Sequence, residues 1–277
     1  QWDLRRAFDS VSYNFIRMAL LRLGVPVELV DFLVTMMENN VMTVASPLHM
    51  SHHATSSDSC CNDMTFHQER GTGQGDPPSP FIWIAVFDIL LTMLRTVPAH
   101  GAMYAHGPVS RVYTVQDIAY ADDLVTIASS QAHQQAKADM VCTFCACTGM
   151  QIALPKVTSF AFNCDKSSSN VVLHDTNWSA HVLAPTMGAQ AYKYLGFITD
   201  HINGDQNAYD VTLSYVRAAS SHLIHCHASR EVKLLVYRMQ ILPKILYTAT
   251  KACWSLKQVR QLDRYAAAIL KHVGRHL

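Results

Sequence analysis

The sequence has almost no net charge: 22 Lys and Arg stand against 21 Asp and Glu over 277 residues, a formal balance of +1. A chain so close to neutral offers no uniformly basic surface for a polyanion. The small sum hides a division along the chain. Residues 1–204 carry 11 basic and 17 acidic side chains, whereas residues 205–277 carry 11 and 4. Positive surface, the sign that meets a polyanion, therefore belongs to the C-terminal part.

Other absences narrow the class. No apolar run is long enough to span a bilayer. The nearest, Phe81 to Val97, holds Asp88 and Arg95 and stops at Pro98, which is too short and too charged for a membrane helix. No secretory signal opens the chain, which begins Gln1-Trp2-Asp3-Leu4-Arg5, so the 8 Cys are read as reduced thiols in an intracellular setting. No targeting signal is visible, and no internal repeat. His49, His52, His53, Cys60, Cys61 and His67 match no recurring zinc spacing and are read as part of a Ser-rich loop. Cys142, Cys145 and Cys147 lie on an amphipathic helix over 131–148 as small core residues. The chain lacks an initial Met and enters at once on what reads as a strand, so it is expected to be part of something longer.

What is present centres on Ala119-Tyr120-Ala121-Asp122-Asp123-Leu124. Tyr113 to Ala119 and Leu124 to Ala128 are β-branched, apolar and short, and each reads as a strand. Asp is poor within a strand and good in a tight turn, so Asp122 and Asp123 fall at the tip of a β-hairpin. Two adjacent carboxylates repel unless a cation lies beside them; a hard divalent ion, Mg²⁺ first, is the natural partner. A plain solvated turn is the alternative for the pair taken alone. Asp3 ends the opening strand, ahead of a helix capped by Ser12 and closed by Gly24 and Pro26. A second helix over 27–39 is expected to turn Phe32, Leu33 and Met36 inward. Arg70 to Pro80 holds Gly71, Gly73 and Gly75, a loop that lets backbone approach a ligand. Ser79 is expected to cap, and Pro80 to open, a buried helix over 81–97. Met150 to Leu154 and Val157 to Phe162 read as strands flanking Lys156, and Tyr192 to Asp200 as a strand broken by Gly196. From Asp210 onward the pattern is helical.

In chain order these pieces are Asp3 with Phe8, then Gly73-Gln74-Gly75-Asp76-Pro77, then Tyr120-Ala121-Asp122-Asp123, then Gly149 with Lys156, then Tyr194-Leu195-Gly196. That series resembles motifs A to E of reverse transcriptases, and within them the non-long-terminal-repeat (LINE-type) retrotransposon branch, along essentially the whole chain. Group II intron maturases are a closer alternative, and a decayed or domesticated copy that binds nucleic acid without catalysis is one of another kind. The resemblance implies an RNA-directed DNA polymerase, a nucleotidyltransferase working on an RNA template, a DNA primer and deoxynucleoside triphosphates, in the nucleus during retrotransposition. It implies Mg²⁺, with Mn²⁺ as an alternative, held by Asp3, the Leu4 carbonyl, Asp122 and Asp123. It also implies Phe8 as the gate against a ribose 2′-hydroxyl, with Gln74, Gly75 and Tyr120 beside the nucleotide. Lys156 becomes the proton donor to pyrophosphate, and Tyr194, Leu195 and Gly196 the primer grip. Gly73, Pro78, Ala153 and Val157 depart from the usual residues. The fold implied is α+β: a palm of antiparallel sheet backed by helices at 12–24, 81–97 and 131–148, with partial fingers inserted at about 41–70, over residues 1–204, then a helical thumb over 205–277. The upstream part of the fingers, with its basic residues, is expected to be missing.

Overall fold

The computed structural model describes residues 1–43, 65–73, 75–97, 102–106, 111–161, 169–186, 192–199 and 205–274. The chain forms two compact units, Gln1–Pro185 and Thr186–Leu277. The hairpin carrying Tyr194, Leu195 and Gly196 thus groups with the helices that follow it, whereas the sequence reading begins the thumb at about 205. Most of the expected fingers insertion and Gln74 lie outside the described residues.

In the first unit the elements run β1 (Leu4–Arg5), α1 (Ala7–Ser10), α2 (Tyr13–Arg22), α3 (Val27–Glu38), β2 (Val41–Thr43), β3 (Thr65–His67), α4 (Ser79–Arg95), β4 (Ala102–His106), β5 (Arg111–Val115), β6 (Asp117–Tyr120), β7 (Asp123–Thr126), α5 (Gln131–Thr148), β8 (Gln151–Ile152), β9 (Val171–His174) and β10 (Ala180–Leu183). Helix ends follow local chemistry. The Ser12 Oγ accepts from the Phe15 N–H at 3.3 Å, and the Ser130 Oγ from the His133 N–H at 3.3 Å, each satisfying an orphan donor of a first turn. Gly149 closes α5 in the left-handed conformation. α2, α4 and α5 pack together, and Ile16, Ala19, Leu20, Leu90, Leu94, Ala138 and Val141 are wholly buried between them. Each large aliphatic side chain there contributes about 1.5–3 kcal/mol by leaving water.

Every strand pairs antiparallel. The pairs that matter for the site are β1 with β8 (Leu4 opposite Ile152) and β6 with β7 (Tyr120 opposite Asp123). An antiparallel bridge between Trp2 and Leu124 joins them, with the Trp2 N–H donating to the Leu124 carbonyl at 2.7 Å. Two two-stranded sheets are thus joined through that single bridge, in the order β8, β1, β7, β6.

Several expectations are corrected. The stretch Tyr113 to Ala119 is two strands, broken at Gln116 because β5 pairs with β4 while β6 pairs with β7. Lys156 follows Pro155 in a 3₁₀ turn, Leu154–Lys156, and residues 157–161 form no strand. In α3 it is Val30 and Val34 that are buried; Phe32 and Met36 point outward, 59% and 57% exposed. α4 is not buried all round, since Phe81 and Ile84 are exposed. Ser79 makes no cap bond. It lies inside the helix, and its hydroxyl donates to the Gly73 carbonyl at 2.7 Å, tying the glycine loop to the helix start.

The second unit holds the hairpin β11 (Tyr192–Tyr194) and β12 (Phe197–Thr199), then α6 (Gln206–His225), α7 (Arg230–Val236), a π-helical turn (Tyr237–Ile241), α8 (Leu242–Ala249) and α9 (Leu256–Gly274). The expected broken strand is therefore a hairpin, turning at Leu195 and Gly196. α6 packs on both α8 and α9 over a small core of Tyr209, Val216, Leu223, Ile241, Leu262 and Ile269.

Candidate functional site

Asp122 and Asp123 are presented by the turn of the β6–β7 hairpin. Its two central residues are Ala121 and Asp122, with Ala121 in the left-handed region at φ 52°. That conformation is unfavourable for Ala, and the structure around it supplies the support. The Trp83 indole N–H, on α4, donates to the Ala121 carbonyl at 2.9 Å. At the base of the hairpin the Lys137 ammonium of α5 is fully buried. It donates to the Gln116 carbonyl at 3.0 Å, the Asp117 carboxylate at 2.8 Å and the Ile127 carbonyl at 3.1 Å. One cation thus clamps both strands where they enter and leave the hairpin. The sequence reading missed Lys137 as a supporting residue. Its signal was a Lys in phase with Val141, Phe144, Cys145 and Thr148, the buried stripe of α5.

The Trp2–Leu124 bridge brings Asp3 alongside this hairpin. The Asp3 carbonyl accepts from the Ala153 N–H at 2.9 Å, fixing the backbone on both sides. The Asp3 carboxylate is turned onto the Lys156 ammonium, at 3.3 and 3.4 Å from its two oxygens. Burial, then the neighbouring charges of Asp122 and Asp3, push the Asp123 carboxyl above its ordinary value. The charges of Asp122 and Asp3 thus bear on Asp123, and such a cluster of carboxylates is an acidic centre that a cation would relieve.

The donor set is oxygen alone, which fits a hard divalent ion rather than zinc or copper. Among the described residues, no three His, Cys, Asp or Glu side chains stand ready at metal-binding distances. Asp3 makes its contact with Lys156 instead. Leu4 is buried, its backbone in the ladder opposite Ile152.

Phe8, on α1, lies with its ring centroid 4.7 Å from that of Trp83, whose ring stacks in turn on Phe87 at 5.1 Å. The residue expected to meet the sugar therefore rests on the same Trp that holds the Asp turn. The glycine loop crosses directly over α1: the Gly71 N–H donates to the Val11 carbonyl at 2.7 Å and the Thr72 N–H to the Phe8 carbonyl at 2.8 Å. Gly71 is required there. A Cβ on it would lie 2.4 Å from the Asp9 backbone, and its φ is 83°. A Cβ on Gly73 would meet only the carboxylate tip of the exposed Asp76, at 2.3 Å, which can swing aside. Gly75 faces open space, and Tyr120 is exposed at the end of β6.

Tyr194, Leu195 and Gly196 are in the second unit, in the hairpin described above. Leu195 and Gly196 both have positive φ, 48° and 79°. No described helix is long and apolar enough to cross a membrane.

The chain is thus of the α+β class, with an acidic centre built on a hairpin tip and the neighbouring Asp3. The chain belongs to the reverse transcriptase (RNA-dependent DNA polymerase) family, whose model matches residues 1–199. It is 25% identical over 273 residues to the Retrovirus-related Pol polyprotein from type-1 retrotransposable element R2 of Popillia japonica, covering 97% of this chain and 35% of that protein. It is 28% identical over 155 residues to the Retrovirus-related Pol polyprotein from type-2 retrotransposable element R2DM of Drosophila melanogaster, covering 56% of this chain and 13% of that one. The chain thus spans about a third of the length of the first relative and less of the second.

Proposed function

We propose that this chain is the polymerase module of a retrotransposon protein, adding deoxynucleotides to a DNA primer 3′-hydroxyl on an RNA template. The observation that carries the reading is the Trp2–Leu124 bridge, which sets Asp3 beside Asp122 and Asp123 in a chain of this family. On this reading the first unit is the palm with partial fingers, and the helices of the second are the thumb.

Asp3, Asp122, Asp123 and the Leu4 carbonyl would hold Mg²⁺ or Mn²⁺. Bound there, the ions would activate the 3′-hydroxyl and stabilise the leaving pyrophosphate. The chain's own residues do the rest. The clamp of Lys137 and the Trp83 bond keep the hairpin carboxylates in place without reorganisation at each turnover. Lys156, released from Asp3, carries a proton to the leaving group. Phe8, held by Trp83, stands against the sugar 2′ position, and Gln74 with Gly75 lines the nucleotide. The test is primer extension with Mg²⁺ on an RNA template. Extension with deoxynucleotides is expected, and Phe8→Ala should raise ribonucleotide use relative to deoxyribonucleotide use. A folded chain that binds primer–template but extends it with neither metal would overturn the catalytic reading in favour of a binding-only protein.

A further inference from the structure

The turn at Leu195 and Gly196 has a conformation its sequence does not favour. Two-residue hairpin turns with positive φ at both positions prefer Asn-Gly or Gly-Gly, because a bulkier side chain in the left-handed region crowds the backbone carbonyl. Leu195 at φ 48° is such a case. Strain of this kind persists only where the surroundings hold it, and it gathers at ligand clamps.

Here the support comes from one helix. The Tyr247 hydroxyl, on α8, donates to the Leu195 carbonyl. A Cβ on Gly196 would come within 3.9 Å of the same Tyr247 ring, so the ring lies beside the turn. The Lys251 ammonium donates to the Tyr247 hydroxyl at 2.6 Å and lies 3.9 Å from the centre of its ring. α8 itself is pinned to α6, where the Thr212 hydroxyl bonds the buried Thr248 hydroxyl at 3.2 Å, and β12 packs on α6. The hairpin therefore stands on two helices, and its tip on a Tyr–Lys pair.

We infer that Tyr247 is a positioning residue that fixes the Leu195–Gly196 turn in its strained form, and that Lys251, held by Tyr247, presents a cation to the phosphate backbone of a nucleic-acid strand laid on that turn. The inference rests on the polymerase reading for the identity of that strand as the primer. The chemistry is direct. An ammonium has three donors; one is spent on Tyr247, and the side chain is exposed, so two remain for phosphate oxygens. Tyr247 uses its hydroxyl twice, as donor to the turn and acceptor from the Lys, so that seating the cation and setting the turn are coupled.

The test uses the full chain and a fluorescent DNA primer annealed to an RNA template, followed by anisotropy across a salt series and by primer extension. Tyr247→Phe keeps the ring and removes the hydroxyl. It should weaken primer–template binding and raise the primer–template KM about five- to tenfold, because the turn and Lys251 are no longer preset for the strand, with the deoxynucleotide KM unchanged and the thermal midpoint lowered by no more than a few degrees. Lys251→Met should flatten the slope of log K against log salt by about one unit, and Lys251→Arg should restore it. Unchanged binding and KM in Tyr247→Phe would overturn the inference, as would an equal rise in both KM values or an unchanged salt slope in Lys251→Met. The two readings separate cleanly. If the parent chain binds but does not extend, the binding arms still decide the role of the pair while the polymerase reading falls. If it extends normally and the variants bind like the parent, only the pair's role falls. A parent chain that does neither overturns both.

Discussion

The two units differ first in charge. Residues 1–185 carry 10 basic and 16 acidic side chains, and residues 186–277 carry 12 and 5. The first unit is built around carboxylates that repel one another; the second is studded with cations over a small core. A polyanion meets opposite receptions on them. On the polymerase reading the first unit would take phosphate with a cation in its acidic centre, whereas the second would meet it with its own basic side chains. On the same reading the difference points to a division of labour: chemistry where negative charge is concentrated, grip where it is scarce.

The units also stabilise their hairpins differently. The β6–β7 hairpin is clamped from below by the buried Lys137 and from the side by Trp83. The β11–β12 hairpin is held at its tip by an exposed Tyr–Lys pair. The first arrangement is rigid and costs much if broken; the second leaves a cation in contact with solvent.

The largest effect that would sharpen this contrast is at the acidic centre. Asp122→Asn should lower extension by about a thousandfold or more, as several kcal/mol of transition-state stabilisation are lost. Residual extension near the parent rate would break the comparison. In Asp123→Asn the same loss should come with a raised thermal midpoint, because a carboxylate disfavoured by burial and by Asp122 and Asp3 has been removed. A lowered midpoint would contradict the repulsion described.

Next in size is the clamp. Lys137→Met leaves Asp117 and two carbonyls without their buried donor, and should cost about 3–5 kcal/mol. Hydrogen exchange should rise in β6 and β7 and stay unchanged in α6 to α9. Pairing it with Asp117→Asn should recover part of the loss. A Lys137→Met variant as stable as the parent would show the clamp to be idle.

The second unit should yield through salt dependence instead. Replacing Lys257, Arg260 and Arg264 of α9 by Gln should flatten the salt slope of duplex binding by about one unit for each phosphate left without its cation, with little change in stability. The smallest effect is expected at the exposed Arg17–Asp31 pair, where Arg17→Ala should cost at most about 1 kcal/mol and leave binding and extension unchanged.

Much of this arrangement was legible in the sequence where its causes are local. Ser12, Gly24 with Pro26, and Gly149 bound their helices as capping chemistry dictates. The hairpin turn at Asp122 was readable because Asp is a turn residue between two apolar runs, though Asp123, expected in the turn, opens β7 opposite Tyr120. What was not legible depends on distant partners. α3 carries one polar stripe, Glu28, Asp31, Thr35 and Glu38, with Phe32 and Met36 on one flank and Val30 and Val34 on the other, so its own pattern could not tell which flank would be buried. The short segments near Lys156 take their form from Asp3, whose carbonyl and carboxylate bind Ala153 and Lys156. The turn at Leu195 breaks local preference, and nothing nearby in sequence announces Tyr247, 52 positions on.

The measurement that bears most directly on the division of labour is made on Asp123→Asn in the full chain, with primer–template binding and primer extension read on the same preparation. The account predicts that binding is kept or strengthened, since a negative charge has gone, while extension is lost. Extension that persists, or binding that disappears along with it, would contradict the separation of an acidic chemical centre from a basic grip.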